Sequence, residues 1–400
     1  LSSSSAASDV YKRQVLRIAQ ILVDVYIISV HNRIESLRKK MSNQIVTTGI
    51  SFFGADTLKN FNEEIKNSGF QRIFIIAAPE FQSALKKISS MLAKNKIVYS
   101  IFDRVSQVAS LSDTRAALNA AKTLRADAVI SVGSKSVSDI AKAVSILLSN
   151  PEISDPRKLE RKAKSKNKAI PLYMFFTSIG SPWDSSHVFI LEDESQRKKI
   201  ECADTNAIPK AFFFDTELAS VANKNDFSVL ATSLLASSIE SFICKSSWDL
   251  SDFFALKAIK LISENALSAS KGNSKAIENM LYAQYCTGIA FSNGGAAFAT
   301  AASLSVEAAV GISFSKSIIP IFKESMEFNA ASTGQKYKAI AVNMGAKVSS
   351  SASPESFRKT AVTSVEKFFK ELSAAKKVEE VKISKEDVLF IQENILKNKY

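Results

Sequence analysis

Up to about Phe227 the chain alternates short apolar runs with longer stretches of helical periodicity; beyond it, only the helical periodicity continues. Arg72 to Ala77, Ile97 to Phe102 and Ala128 to Val132 are compact runs rich in apolar, β-branched and aromatic residues. Such runs predict strands buried on both faces. Between them, Phe81 to Ala93 and Asp113 to Leu124 repeat apolar residues at helical spacing. Strands separated by helices of about 10–15 residues predict βαβ units and a parallel sheet. From Ser228 onward the pattern predicts successive helices over Ser228–Ile243, Asp252–Ala266, Ala276–Ala290, Ala296–Val310, Lys316–Phe328, Pro354–Leu372 and Lys385–Leu396. The expected fold is an α/β N-terminal nucleotide-binding-type domain over residues 41–222, then an all-α C-terminal domain over residues 223–400. The crevice between two such domains is the expected ligand site.

One connection carries more information than the others. The run Ala128 to Val132 ends at Gly133, and Ser136 is placed to cap a helix that continues through Asp139 to Val144. A dinucleotide pyrophosphate needs small, flexible residues in such a turn, so that backbone N–H groups at the helix N-terminus can approach the phosphates. Gly133 meets that need, whereas Ser134 and Lys135 stand where further glycines would serve it. A strand-to-helix turn with one glycine is also a common plain connection, and these residues alone leave both readings open.

Composition narrows the class. A chain of 400 residues, 46% hydrophobic, has material for two cores. Cys202, Cys244 and Cys286 are too far apart for a disulfide framework or a C-x-x-C metal pair. They are expected to be reduced core residues, which suits a cytoplasmic location, with an organelle as the alternative. Asn279 to Val306 holds no charged residue, yet Thr287, Ser292, Asn293, Gly294 and Gly295 interrupt it. That mixture predicts tightly packed helices rather than a lipid-facing span, so no membrane association is expected.

Net charge is +13, and part of it is concentrated in Arg157 to Lys168, with seven basic residues against Glu160. A basic run can meet phosphates. No aromatic or glycine-rich nucleic-acid motif accompanies this one, so a solvated loop is expected and nucleic acid is not an expected partner. The first methionine is Met41, and Leu1 to Gln14 has the look of adaptor-derived sequence. Residues 1–40 are therefore expected to be a non-native leader.

The turn segment resembles the G-G-G-S-x-x-D-x-A-K signature of iron-containing (group III) alcohol dehydrogenases. Phe53-Gly54-Ala55 is similar to that family's opening F-G-x-G, with Asp56 for the second glycine. Pro171 to Asp184 resembles its P-T-T-x-G-T-G-S-E loop: Thr177, Ser178 and Gly180 are kept, Pro182 replaces a glycine and Asp184 replaces the glutamate. Pro209 with Phe214 to Leu218, and Ser238-Ile239-Glu240, look like two further family stretches in the right order. The resemblance runs from about Met41 to near the C-terminus. It implies the iron-containing alcohol dehydrogenase and dehydroquinate synthase-like architecture. It also implies vestigial dinucleotide contacts at Gly133, Ser134, Ser136, Asp139, Thr177 and Ser178. The family acid that holds the adenine ribose is matched by Ala78.

The same resemblance puts Ser233, Ser237, Leu304 and Phe314 at the family's metal-ligand positions and Thr300 at a further histidine. Serine ligates poorly, and leucine and phenylalanine not at all, while the chain's histidines are His31 and His187. The expectation is a divergent member that has lost its metal ligands: a non-catalytic homologue (pseudoenzyme) with no iron or zinc and at most weak NAD or NADP binding. It would act as a structural or regulatory protein in a homo- or hetero-oligomer. The alternative is a metal-independent NAD(P)-linked oxidoreductase of small alcohols or aldehydes, with Tyr282 and Tyr285 as candidate proton donors and Cys244 as a candidate nucleophile.

Overall fold

The computed structural model describes residues 45–133, 135–161, 165–219, 226–373 and 383–397. The leader, Met41, His31 and Ser134 lie outside the described residues. In chain order the strands are Ile50–Gly54 (β1), Arg72–Ala77 (β2), Val98–Phe102 (β3), Ala128–Val132 (β4), Leu172–Phe176 (β5), Val188–Asp193 (β6), Lys198–Ala203 (β7) and Ala211–Asp215 (β8). Six of them form one parallel sheet in the order β1-β8-β5-β4-β2-β3, and β6 pairs with β7 as an antiparallel hairpin. The accompanying helices are Leu58–Ser68 (α1), Gln82–Lys94 (α2), Leu111–Leu124 (α3), Ser136–Ser149 (α4) and Thr216–Ala219 (α5).

The helical run that follows comprises Phe227–Ile243 (α6), Asp249–Ser270 (α7), Ser274–Gly294 (α8), Phe298–Val310 (α9), Phe314–Asn329 (α10), Lys336–Asn343 (α11), Pro354–Glu371 (α12) and Lys385–Lys397 (α13). Among the described residues no helix is long and apolar enough to cross a membrane.

The four inner strands are apolar at nearly every position because both faces of a parallel sheet are covered. Phenylalanines fill that interior: Phe175 stacks on Phe213 at 4.6 Å, and Phe176 on Phe214 at 4.4 Å, between adjacent strands β5 and β8. The outer strands expose Ile50 and Phe53 on β1, and Val98 and Ile101 on β3.

The chain divides into two compact units. One joins Val46–Phe227 with Ser268–Ser292, so most of α8 packs with the sheet. Tyr285 of α8 sets its ring edge against Phe53 and Phe214 at 5.2 and 5.6 Å. The other unit joins Ser228–Leu267 with the chain from Asn293 onward. Its centre is α9, buried at every position from Phe298 to Ala309. The buried Glu240 carboxylate accepts the N–H groups of Ala299 and Thr300 and the Thr300 hydroxyl, at 2.6–2.8 Å, and so caps α9.

Candidate functional site

Sheet order locates the site. From β2 the chain moves outward to β3, whereas β4, β5 and β8 follow one another in the opposite direction, so strand order reverses between β2 and β4. In open parallel sheets ligands bind beyond the carboxyl ends of the strands at such a reversal. Ala77 and Val132 face each other in register, and the Ala78 N–H donates to Val132 O at 3.1 Å. The two chains part there, at Ala78 and Gly133.

Gly133 has φ 153°, and a Cβ built on it would meet Val137 Cγ2 at 2.9 Å. Only glycine fits that position. Lys135, at φ 38° and ψ −98°, occupies the cap position of α4 and makes no side-chain cap. Ser136 is therefore the first helical residue, not the N-cap, because Lys135 and not Ser136 carries the non-helical dihedrals. The Lys135 N–H donates to both carboxylate oxygens of Asp184, at 3.1 and 3.3 Å.

Behind the turn lies a buried polar cluster. Lys142, fully buried on α4, donates to the carbonyls of Trp183 and Val188 at 3.0 and 2.9 Å. Trp183 Nε1 donates to Asp139 Oδ2 at 3.3 Å, and Gln284 Nε2 of α8 donates to Asp184 Oδ2 at 3.1 Å. Burial pushes the Asp184 carboxyl up to about 6 against the pull of the Lys142 ammonium. Burial also raises Asp139 and lowers Lys142, each opposed by the charge of the other. His187, at the entry to β6, is pushed down to about 4, first by burial and then by Lys142.

The expected contact residues fall around this cluster. Gly133 and Ser136 form the turn, Asp139 faces Trp183 from α4, and Thr177 and Ser178 follow β5, the neighbour of β4. Among the described residues Asp139 Oδ1, Thr177 Oγ1, Ser131 Oγ and Gln284 Oε1 are buried without a hydrogen-bond partner. Buried polar atoms are nearly always bonded, so each of these is an atom that water or a ligand can complete. Ala78, nearly buried, places no carboxylate at the ribose position. Sequence reasoning matched Lys142 only as the last residue of the turn signature, gave neither Lys142 nor Trp183 a role, and passed over Gln284. A lone charged residue in the run Ile140 to Leu147, whose other members are apolar but for Ser145, was the available signal.

The helical unit holds the four positions matched to metal ligands. Ser233 donates to Leu230 O at 2.9 Å, while Ser237, Leu304 and Phe314 are buried. Thr300 is bound to Glu240. Among the described residues no group of three or more His, Cys, Asp or Glu could hold a metal ion. These side chains do not fit an iron or zinc centre. The other candidates are committed elsewhere. The Tyr285 hydroxyl shares a 2.7 Å hydrogen bond with Thr48 Oγ1, before β1 and away from the turn. Tyr282 sets its edge to Phe53. Burial raises the Cys244 thiol, and Ser246 bonds it at 3.3 Å. A thiol held protonated is a poor nucleophile.

Residues 49–216 match the profile of iron-containing alcohol dehydrogenases, and residues 231–399 match the C-terminal profile of the Fe-containing alcohol dehydrogenase family. The chain belongs to the iron-containing alcohol dehydrogenase family. It is 25% identical over 350 residues to lactaldehyde reductase of Escherichia coli (strain K12), covering 87% of this chain and 91% of that protein. It is 24% identical over 353 residues to an NAD-dependent methanol dehydrogenase of Bacillus methanolicus, covering 86% and 91%. The solved alcohol dehydrogenase of Oenococcus oeni superposes with a TM-score of 0.84 at 19% identity, over 89% of this chain and 94% of that one. The fold is that of the family.

Two expectations are corrected here. The non-catalytic reading is overturned by relatives that are named dehydrogenases and reductases and align along nearly their whole length. At the level of the family the cofactor expectation, no iron or zinc and at most weak NAD or NADP, is overturned by the same findings, although the four matched positions of this chain carry no metal-ligand set. Both family profiles are described by iron, and one near-full-length relative is named for NAD. The error came from letting four ligand positions in the helical unit decide the function of the sheet unit as well.

Proposed function

We propose that this chain is an NAD(P)-linked oxidoreductase acting on small alcohols or aldehydes. The observation that carries the reading is the turn at Gly133, which stands at the reversal of strand order, opens the N-terminus of α4 and is bonded through the Lys135 N–H to the buried Asp184. A helix N-terminus favours an anion through its N–H groups and its partial positive charge. In this reading the pyrophosphate lies against the Gly133 turn, with Ser136, Thr177 and Ser178 as hydroxyl donors beside it. Asp139 sits deeper, bonded to Trp183, and acts as support. Ala78 offers no carboxylate either to bond a ribose 2′-hydroxyl or to repel a 2′-phosphate, so NADP is accepted as well as NAD.

When bound, the reduced dinucleotide would supply the hydride for the carbonyl carbon of an aldehyde, and a proton from water would complete the alcohol; the residues of the turn would hold and orient that cofactor. The named substrates of the relatives, lactaldehyde and methanol, support a small substrate. The test is titration of the purified protein with NADH and NADPH, followed by consumption of reduced nicotinamide in the presence of lactaldehyde or propanal. Saturable binding with aldehyde-dependent oxidation supports the reading. A protein that binds neither dinucleotide contradicts it.

A further inference from the structure

Asp184 lies on the loop between β5 and β6, yet it touches two other parts of the sheet unit. Its carboxylate takes the Lys135 N–H on one side and the Gln284 amide on the other. Lys135 is held at φ 38°, a conformation that side-chain-bearing residues avoid. Nothing on the Lys135 side chain caps α4. The bond to Asp184 ties this amide to the loop between β5 and β6, and the loop that bears Asp184 is itself fastened. Lys142 of α4 grips the carbonyls of Trp183 and Val188, on either side of Asp184 along the chain. On α8, Ser185 Oγ stands 1.9 Å from where a Cβ on Gly288 would be, so loop and helix are in closest contact there.

We infer that Asp184 is a positioning residue for dinucleotide binding: it fixes the Lys135 amide, and with it the entry to α4 at Ser136, and Gln284 fixes Asp184 in its turn. This rests on the proposed dinucleotide site. It assigns cofactor affinity to a buried loop carboxylate and a helix amide that need not touch the cofactor. Gln284 Oε1 is without a partner among the described residues, so its amide can rotate to meet a changed neighbour. Asparagine at 184 therefore keeps an acceptor for the Lys135 amide and a match for Gln284. Alanine keeps neither.

The experiment compares the full chain with Asp184→Ala, Asp184→Asn and Gln284→Leu. It measures dinucleotide affinity, KM for cofactor and for aldehyde separately, kcat, and hydrogen exchange of the peptide bearing the Lys135 amide. Asp184→Ala is expected to weaken dinucleotide binding at least about tenfold, the scale of a lost buried hydrogen bond to a charged group. Aldehyde KM and kcat at saturating cofactor stay within about twofold, and exchange at Lys135 speeds up. Asp184→Asn recovers most of the affinity. If Asp184→Ala does not fold, Gln284→Leu decides: cofactor KM must rise while aldehyde KM does not. Unchanged cofactor affinity in a folded Asp184→Ala or Gln284→Leu protein overturns the inference. Failure of the parent itself to bind a dinucleotide is a different result, which defeats the functional reading and takes this one with it.

Discussion

His187 and Asp184 stand three residues apart and titrate against each other in their effect on stability. The half-buried imidazole of His187 has its pKa lowered from 6.5 to about 4, so the unfolded chain binds its proton more readily than the native one. Its contribution to stability is complete above pH 6.5 and is lost as pH falls towards 4. Asp184 is raised from 3.8 to about 6, so in that interval the native state binds more protons and stability falls as pH rises. The two slopes oppose each other in the parent. His187→Asn removes one of them, and urea unfolding at pH 7 and pH 5 should show the variant gaining about 1–2 kcal/mol on the parent at the lower pH. Gly133→Ala tests the turn itself. The positive φ and the close Val137 methyl should cost about 1–3 kcal/mol and weaken dinucleotide binding. The glycine requirement was legible in the sequence. The dihedrals of Lys135 were not, and its N–H is bonded to Asp184, 49 positions away, a contact no local pattern shows.

Elements were legible where one physical cause dominated. β2 and β4 fall where the continuous apolar runs place them, since strands covered on both faces leave no polar alternation to misread. The hairpin of β6 and β7 went unseen. Val188–Asp193 is buried at all but one position and Lys198–Ala203 alternates only in its second half, so the pair shows no common two-residue period. Arg157, from the basic run, proves to be paired with Asp193 at 2.6 Å, a charge arrangement that only folding reveals. The eight residues of α11 were too few to show a period. The matched ligand positions were legible as residue types, and the structure adds their burial. Phe314→Ala should cost about 2–5 kcal/mol in chemical denaturation, as for other large-to-small changes in a packed helical core. The contact of α8 with its loop supports a cycle. Gly288→Ala should destabilise by about 1–3 kcal/mol through overlap with Ser185 Oγ, and Ser185→Gly in the same chain should return most of that loss.

At the scale of the molecule, a ligand that binds only the native state raises stability by mass action. Reduced dinucleotide at about 100 times its dissociation constant should add about 2.7 kcal/mol to unfolding, read as an upward shift in melting temperature. The same addition should do nothing for a variant that has lost the site. A further consequence comes from α8, which lies in sequence among the helices yet packs on the sheet. The midpoint of the gene is not a seam. A fragment ending near residue 227 would carry every strand and still leave Phe53, Phe214 and Asp184 without the helix that meets them. Expressed alone, such a half is expected to be insoluble, and supplying its other half on a second plasmid is the way to recover it. The N-terminal piece cannot finish its own interior without a helix that the other piece carries.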